Sequence, residues 1–123
     1  MIARSLVSVV DDDESVRESL PHLLRKFGFA AEAFASAEEF LASEFVGQTT
    51  CLILDIAMPG MSGPALQMEL VRRHQAIPIV FITAHGDETV RPRVLEAGAV
   101  ECLFKPFSAT ALRAAVDTAL RVV

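Results

Sequence analysis

The stretch Cys51-Leu52-Ile53-Leu54-Asp55-Ile56-Ala57-Met58-Pro59-Gly60-Met61-Ser62-Gly63 decides the fold. Four apolar residues run directly into one carboxylate, and a Pro/Gly turn follows at once. A run that is apolar on both faces reads as a strand buried between two helix layers. Asp55 then stands where that strand ends and the chain surfaces. In open α/β sheets this carboxyl-end rim is where ligands bind. Asp55 has a second reading here, as the residue that caps the turn at Met58-Pro59-Gly60.

Upstream, Leu6 to Val10 is a short β-rich run that stops in Asp11-Asp12-Asp13-Glu14. Val16, Leu20, Leu23, Leu24 and Phe27 then recur at helical spacing until Gly28. Pro21 lies inside that helix and is expected to kink it, because it lacks a donor and crowds the carbonyl of Arg17. Phe29 to Phe34 reads as a second strand. Ser36-Ala37-Glu38-Glu39 is a capping-box signature that opens a short helix through about Ser43.

Downstream, Ser62 and Pro64 open a helix carrying Leu66, Leu70 and Val71 on its apolar side. Ile77 to Thr83 is a second fully apolar strand, and His85-Gly86-Asp87 reads as loop. Pro92 fits only the first turn of a helix and biases Arg91 out of the α region. A late-starting, short helix ending at Ala97-Gly98 is therefore expected. Val100 to Phe104 is the fifth strand and finishes at Lys105-Pro106. Ser108 caps a last helix with Leu112, Ala115, Val116, Ala119 and Leu120 on one face. Five strands alternating with five helices predict an α/β fold, a parallel sheet with helices on both sides.

Composition sets the bounds of function. At 123 residues the chain reads as one domain, residues 1–123, with enough length to bury a core. Sixteen acidic residues against 11 basic ones leave a net charge of −5, and no Lys/Arg stripe is present to meet phosphates, so direct nucleic-acid binding is not expected. No apolar run approaches the ~20 residues of a membrane span. The start Met1-Ile2-Ala3-Arg4 lacks a signal-peptide pattern. Cys51 and Cys102 lie in apolar runs without metal-ligand spacing, which points to reduced core thiols in a cytoplasmic protein.

Four of the five strands finish in a reactive type: Asp11-Asp12, Asp55, Thr83 and Lys105. Taken singly, the acids suit the first turn of a helix, Thr83 an ordinary strand end and Lys105 a solvated surface. Right-handed crossovers, however, bring successive carboxyl ends to one edge of the sheet. Three close carboxylates repel, so a cation must screen them or a proton must bind. Hard oxygen donors in a shallow, wet site suit Mg²⁺. An ionised Asp facing a metal and a lysine is a nucleophile for phosphorus. Phosphoryl transfer needs positioning and charge neutralisation, which Lys105 and Thr83 can add around the Asp55 oxygens.

Val9-Val10-Asp11-Asp12-Asp13, Leu54-Asp55-Ile56-Ala57-Met58-Pro59-Gly60-Met61-Ser62-Gly63, Ile82-Thr83-Ala84 and Lys105-Pro106-Phe107 together resemble the receiver domain of two-component response regulators. The resemblance covers essentially the whole chain in the family's order. The wording Ile82-Thr83-Ala84-His85-Gly86-Asp87 and Lys105-Pro106-Phe107 is most similar to receivers that precede a LuxR-type helix-turn-helix. The resemblance implies a flavodoxin-like (βα)5 doubly wound sheet of strand order 2-1-3-4-5. It implies that Asp55 accepts a phosphoryl group from the phosphohistidine of a histidine kinase or phosphotransfer protein. Asp12, Asp55 and the Ala57 carbonyl would hold Mg²⁺, with Asp11 reaching it through water. Thr83 and Lys105 would bond phosphoryl oxygens, and Lys105-Pro106 would be a cis peptide. An output domain or effector outside this chain, of which a DNA-binding domain is one kind, would read the result, with a phosphorylation-dependent homodimer as one form of readout. Such a domain is a signalling switch that promotes its own phosphorylation and dephosphorylation, not an enzyme acting on a separate substrate.

Three positions flank or depart from the family pattern. Ala57 offers no side chain to an attacking water, and His85 is a loop histidine beside the site. Cys102, three before Lys105, stands where the family has Tyr or Phe, the ring that fills space vacated by the moving Thr83. A thiol cannot fill a ring-sized hole. Coupling is therefore expected to run through the 85–87 loop and the Pro92 helix, the alternative being a core repacked around Cys102. Two other functions compete with the switch. One is a pseudo-receiver that binds partners without phosphate. The other is a haloacid-dehalogenase-like phosphatase, whose Asp-x-Asp is met literally by Asp11-Asp12-Asp13 but which leaves the Asp55 motif unexplained.

Overall fold

In the computed structural model, which describes residues 4–84 and 88–121, the chain alternates strand and helix throughout. The strands are β1 (Leu6–Val10), β2 (Ala30–Phe34), β3 (Thr49–Asp55), β4 (Ile79–Thr83) and β5 (Glu101–Phe104). The helices are α1 (Glu14–Lys26), α2 (Ala37–Leu41), α3 (Gly63–Arg72), α4 (Val90–Glu96) and α5 (Ala109–Arg121). All strand pairs are parallel, in the order β2-β1-β3-β4-β5. The order reverses direction between β1 and β3, so their carboxyl ends face one crevice.

Side-chain alternation along the central strands explains the two helix layers. Val7, Val9, Cys51, Ile53, Val80 and Ile82 point to one side, where they meet Leu20 and Leu24 of α1 and Leu112, Ala115, Val116 and Ala119 of α5. Val10, Leu52, Leu54, Ile79, Phe81 and Cys102 point to the other, against Phe40 of α2, Leu66 and Leu70 of α3 and Val94 of α4. A strand sandwiched this way must be apolar at every position, as Cys51–Leu54 is. Both cysteines are free and buried, on opposite sides of the sheet.

The helix caps fall where the sequence placed them. Ser36 Oγ accepts from Glu39 N at 3.0 Å, Ser62 Oγ from Ala65 N at 3.2 Å and Ser108 Oγ from Ala111 N at 3.0 Å. Gly28 and Gly98 end α1 and α4 at φ of 100° and 109°. Pro21 is buried inside α1, which continues past it to Lys26. The second, fourth and fifth strands are each one or two residues shorter at their starts than expected.

Three expectations need correction. Val71 is not on the buried side of α3: it is 61% exposed, because Leu66, Gln67 and Leu70 fill that side and position 71 lies about 100° further round. Helix α2 ends at Leu41, not Ser43, because the Ser43 hydroxyl donates to the Phe40 carbonyl at 2.7 Å and turns the chain. Helix α4 is short and holds Pro92 in its first turn, but Arg91 lies within it. The Arg91 guanidinium donates to the Glu101 carboxylate at 2.6 Å and to the Cys102 carbonyl at 3.4 Å, tying that turn to β5. The His85-Gly86-Asp87 segment lies outside the described residues.

Candidate functional site

β1 delivers Asp11, whose backbone N–H donates to the Phe34 carbonyl at 3.1 Å and so extends the pairing with β2 by one bond. Its side chain is fully buried, and both carboxylate oxygens are engaged. One accepts from the Asp13 N–H at 2.9 Å; the other accepts from Lys105 Nζ at 2.9 Å. The Arg17 guanidinium donates to the Asp11 carbonyl at 3.0 Å from the first turns of α1. Asp12 is exposed, while Asp13 caps α1 through the Ser15 N–H at 2.9 Å and the Ser15 hydroxyl at 2.8 Å. Those bonds hold Asp13 below the usual carboxylate range. One Asp13 oxygen thus serves as the cap of α1, an ordinary role for an acid at that position that does not favour the phosphatase reading.

β3 delivers Asp55, 6% exposed, directly after the fully buried run Cys51–Leu54. One oxygen each from Asp11, Asp12 and Asp55 can be chosen so that all lie within 4.8 Å of one another. Burial pushes Asp55 up to about 7, and the charge of Asp11 and then the charge and hydrogen bond of Asp12 add to it, against the opposing pull of Lys105. A carboxylate crowded this way gains from any cation. The clustered hard oxygens of Asp11, Asp12 and Asp55 on a partly open rim are a fitting set for Mg²⁺.

β4 and β5 supply the remaining two groups. Thr83 ends β4 and is buried, and its carbonyl accepts from the Lys105 N–H at 2.8 Å, which carries the β4–β5 pairing one bond past Phe104. The Lys105–Pro106 peptide is cis. Lys105 Nζ lies 3.9 Å from an Asp55 oxygen as well as 2.9 Å from Asp11. Burial alone would lower the lysine, but the hydrogen bond to Asp11 and the charges of Asp55 and Asp11 outweigh it and raise it. Asp11, Asp12, Asp55 and Lys105 are therefore in one site, with Thr83 at the next strand end. Cys102 is deeply buried and paired across the strands with Phe81, in the core layer beneath that rim.

Two residues of the site carried no assigned role in the sequence. Gly63 opens α3, and its N–H donates to the Ile56 carbonyl at 2.9 Å. A Cβ there would sit 2.2 Å from the Asp55 carbonyl oxygen and 3.0 Å from the Phe81 ring. The signal was present, since a glycine directly after a serine cap is a poor helix former with no other purpose. Glu38 of α2 accepts from the Met61 N–H at 3.1 Å, a contact between distant segments that no local pattern announces.

This is a doubly wound α/β protein with an acid–lysine site at the topological switch point. The family model of the response regulator receiver domain matches residues 7–117, and the chain belongs to that family. It is 47% identical over 104 residues to nodulation protein W of Bradyrhizobium diazoefficiens, covering 85% of this chain and 46% of that protein. It is 42% identical over 120 residues to the response regulator protein TmoT of Ectopseudomonas mendocina, covering 96% and 54%. The chain thus spans about half the length of these curated relatives. Among solved structures, the response regulator StyR superposes with a TM-score of 0.89 at 50% identity, over 98% of this chain and 61% of that one. The crystal structure of FixJ-N superposes with a TM-score of 0.89 at 37% identity, over 99% and 98%. Among the described residues no helix is long and apolar enough to cross a membrane.

Proposed function

We propose that the chain, as one receiver domain over residues 1–123, is a phosphoacceptor switch in which Asp55 takes a phosphoryl group from a histidine kinase or phosphotransfer protein. The observation that carries this reading is the placement of Lys105 Nζ, 2.9 Å from Asp11 and 3.9 Å from Asp55, beside three carboxylates that share one small space. An Asp55 oxygen forms the new O–P bond as the phosphorus–nitrogen bond of the phosphohistidine breaks and the imidazole leaves with a proton from solvent. Lys105, already paired to Asp11, neutralises one phosphoryl oxygen, and the Thr83 hydroxyl donates to another. Asp12, Asp55 and the Ala57 carbonyl would hold Mg²⁺, with Asp11 reaching it through water because its own oxygens are engaged. Bound there, Mg²⁺ supplies positive charge to the phosphoryl oxygens.

The domain also promotes loss of its own phosphoryl group, Ala57 leaving the approach of water open. Readout starts at Thr83 and passes to an output domain or effector outside this chain through the 85–87 loop and the Pro92 helix, the alternative route being a core repacked around Cys102, with a phosphorylation-dependent homodimer as one form of readout. The setting is the cytoplasm. Incubation with acetyl phosphate and Mg²⁺ followed by peptide mapping tests the reading. A phosphoryl group on Asp55 supports it, one on Asp11 indicates phosphatase chemistry, and no adduct indicates a pseudo-receiver.

A further inference from the structure

The loop from Ile56 to Ser62 carries the Ala57 carbonyl, and its geometry is fixed at three points. At its base the Gly63 N–H closes onto the Ile56 carbonyl at 2.9 Å. In its middle the Met58 side chain enters the core layer shared by Leu54 and Leu66. At its tip the restraint comes from another element altogether: the Glu38 carboxylate accepts from the Met61 N–H at 3.1 Å. The same oxygen lies 2.7 Å from where a Cβ on Gly60 would stand, and Gly60 itself has a φ of 74°. The glycine supplies the positive φ of the turn, and the Glu38 carboxylate lies over its open side.

Glu38 is exposed, but the helix that holds it is not loose. Phe40 and Ala37 of α2 are fully buried, and the Phe40 ring meets Phe34 edge-on at 5.3 Å between centroids. The Ser36 cap fixes the first turn. An exposed carboxylate on a well-anchored five-residue helix, spent on one backbone N–H of a neighbouring loop, has no packing function. We propose that Glu38 is a positioning residue for the cation site, holding the 56–62 loop that follows Asp55 and carries the Ala57 carbonyl given above as a ligand; this rests on the function proposed above. The physical basis is that a charge-assisted hydrogen bond to a backbone N–H is stronger and more directional than the bond to water that would replace it.

The test compares Glu38→Ala and Glu38→Gln with the parent in three measurements. These are Mg²⁺ affinity by calorimetry, hydrogen exchange at the Met61 amide, and the rate of Asp55 labelling by acetyl phosphate. Urea unfolding without Mg²⁺ serves as the structural control. Glu38→Ala is expected to lose protection at Met61 and to bind Mg²⁺ about fivefold more weakly, the size of one such hydrogen bond at a solvated site. Labelling slows by a similar factor, with little change in the urea midpoint. Glu38→Gln keeps an acceptor oxygen and recovers most of the affinity. Parental Mg²⁺ affinity in Glu38→Ala, a loss of urea stability alone, or a Glu38→Gln protein as impaired as Glu38→Ala would each overturn the proposal. A parent that binds Mg²⁺ but takes no phosphoryl group at Asp55 contradicts the phosphoacceptor reading alone, and calorimetry still decides the role of Glu38. A parent that binds no Mg²⁺ overturns both.

Discussion

Strand β3 holds two regions of opposite character only a few ångströms apart. Cys51 to Leu54 are completely buried among hydrocarbon on both sides of the sheet. Asp55, the next residue, is nearly as buried but faces Asp11, Asp12 and Lys105. The first region stabilises the fold by removing apolar surface from water, and the second costs stability by holding like charges together. The difference teaches how a small domain keeps an unfavourable site: the site sits on the ends of strands whose middles are over-determined by packing.

The comparison can be broken first at its apolar end. Ile53→Ala leaves a cavity between β3 and the α1/α5 layer, and is expected to cost about 2–5 kcal/mol in urea unfolding. A loss under about 1 kcal/mol would mean that the middle of β3 does not carry the rim. The junction comes next. Gly63→Ala would push a methyl group into the Asp55 carbonyl oxygen and is expected to cost about 1–3 kcal/mol. It should also slow acetyl phosphate labelling more than Ile53→Ala does at equal stability, because the displaced atom belongs to Asp55. Equal labelling per folded molecule in the two variants would count against that coupling.

The smallest expected stability change is at the rim, and its sign differs. Asp12→Ala removes one of the clustered charges and is expected to raise stability without metal by up to about 1 kcal/mol while losing most of the Mg²⁺-dependent gain. Thermal melts with and without Mg²⁺ check both parts. A destabilised protein that keeps the full Mg²⁺ shift would show that Asp12 is neither a repelling charge nor a ligand.

The same division explains what is legible in the sequence alone. The layers were legible because Cys51–Leu54 and Ile79–Ile82 are apolar at every position, a pattern that only a doubly covered strand needs. Asp11, Asp12, Asp55, Thr83 and Lys105 were legible as strand-end residues, and topology then brings them to one edge. Val71 was placed wrongly because helical spacing tolerates a residue one position off the buried face. Arg91 was placed wrongly because a local preference before Pro92 yielded to its tie to Glu101 on β5. Glu38 was unreadable as a site residue: its partner is 23 residues away, and its capping-box surroundings already accounted for it. His74, which adopts a φ of 57° after α3, likewise follows from how the chain must turn into β4 and not from its residue type.

The claim at the centre of this account is that the charges around Asp55 oppose folding until a cation joins them, and urea unfolding as a function of pH tests it most directly. Asp55 is raised in the folded state to about 7, above its ordinary value of 3.8. Its contribution to stability is therefore fully present below pH 3.8 and is lost as pH rises through about 7. The account predicts that the metal-free parent weakens across that window on the order of 1–3 kcal/mol relative to Asp55→Asn, which carries no charge there. It predicts that Mg²⁺ stabilises the parent increasingly as pH rises, and Asp55→Asn much less. Matching pH profiles for the two proteins, or an equal Mg²⁺ gain in both, would contradict it.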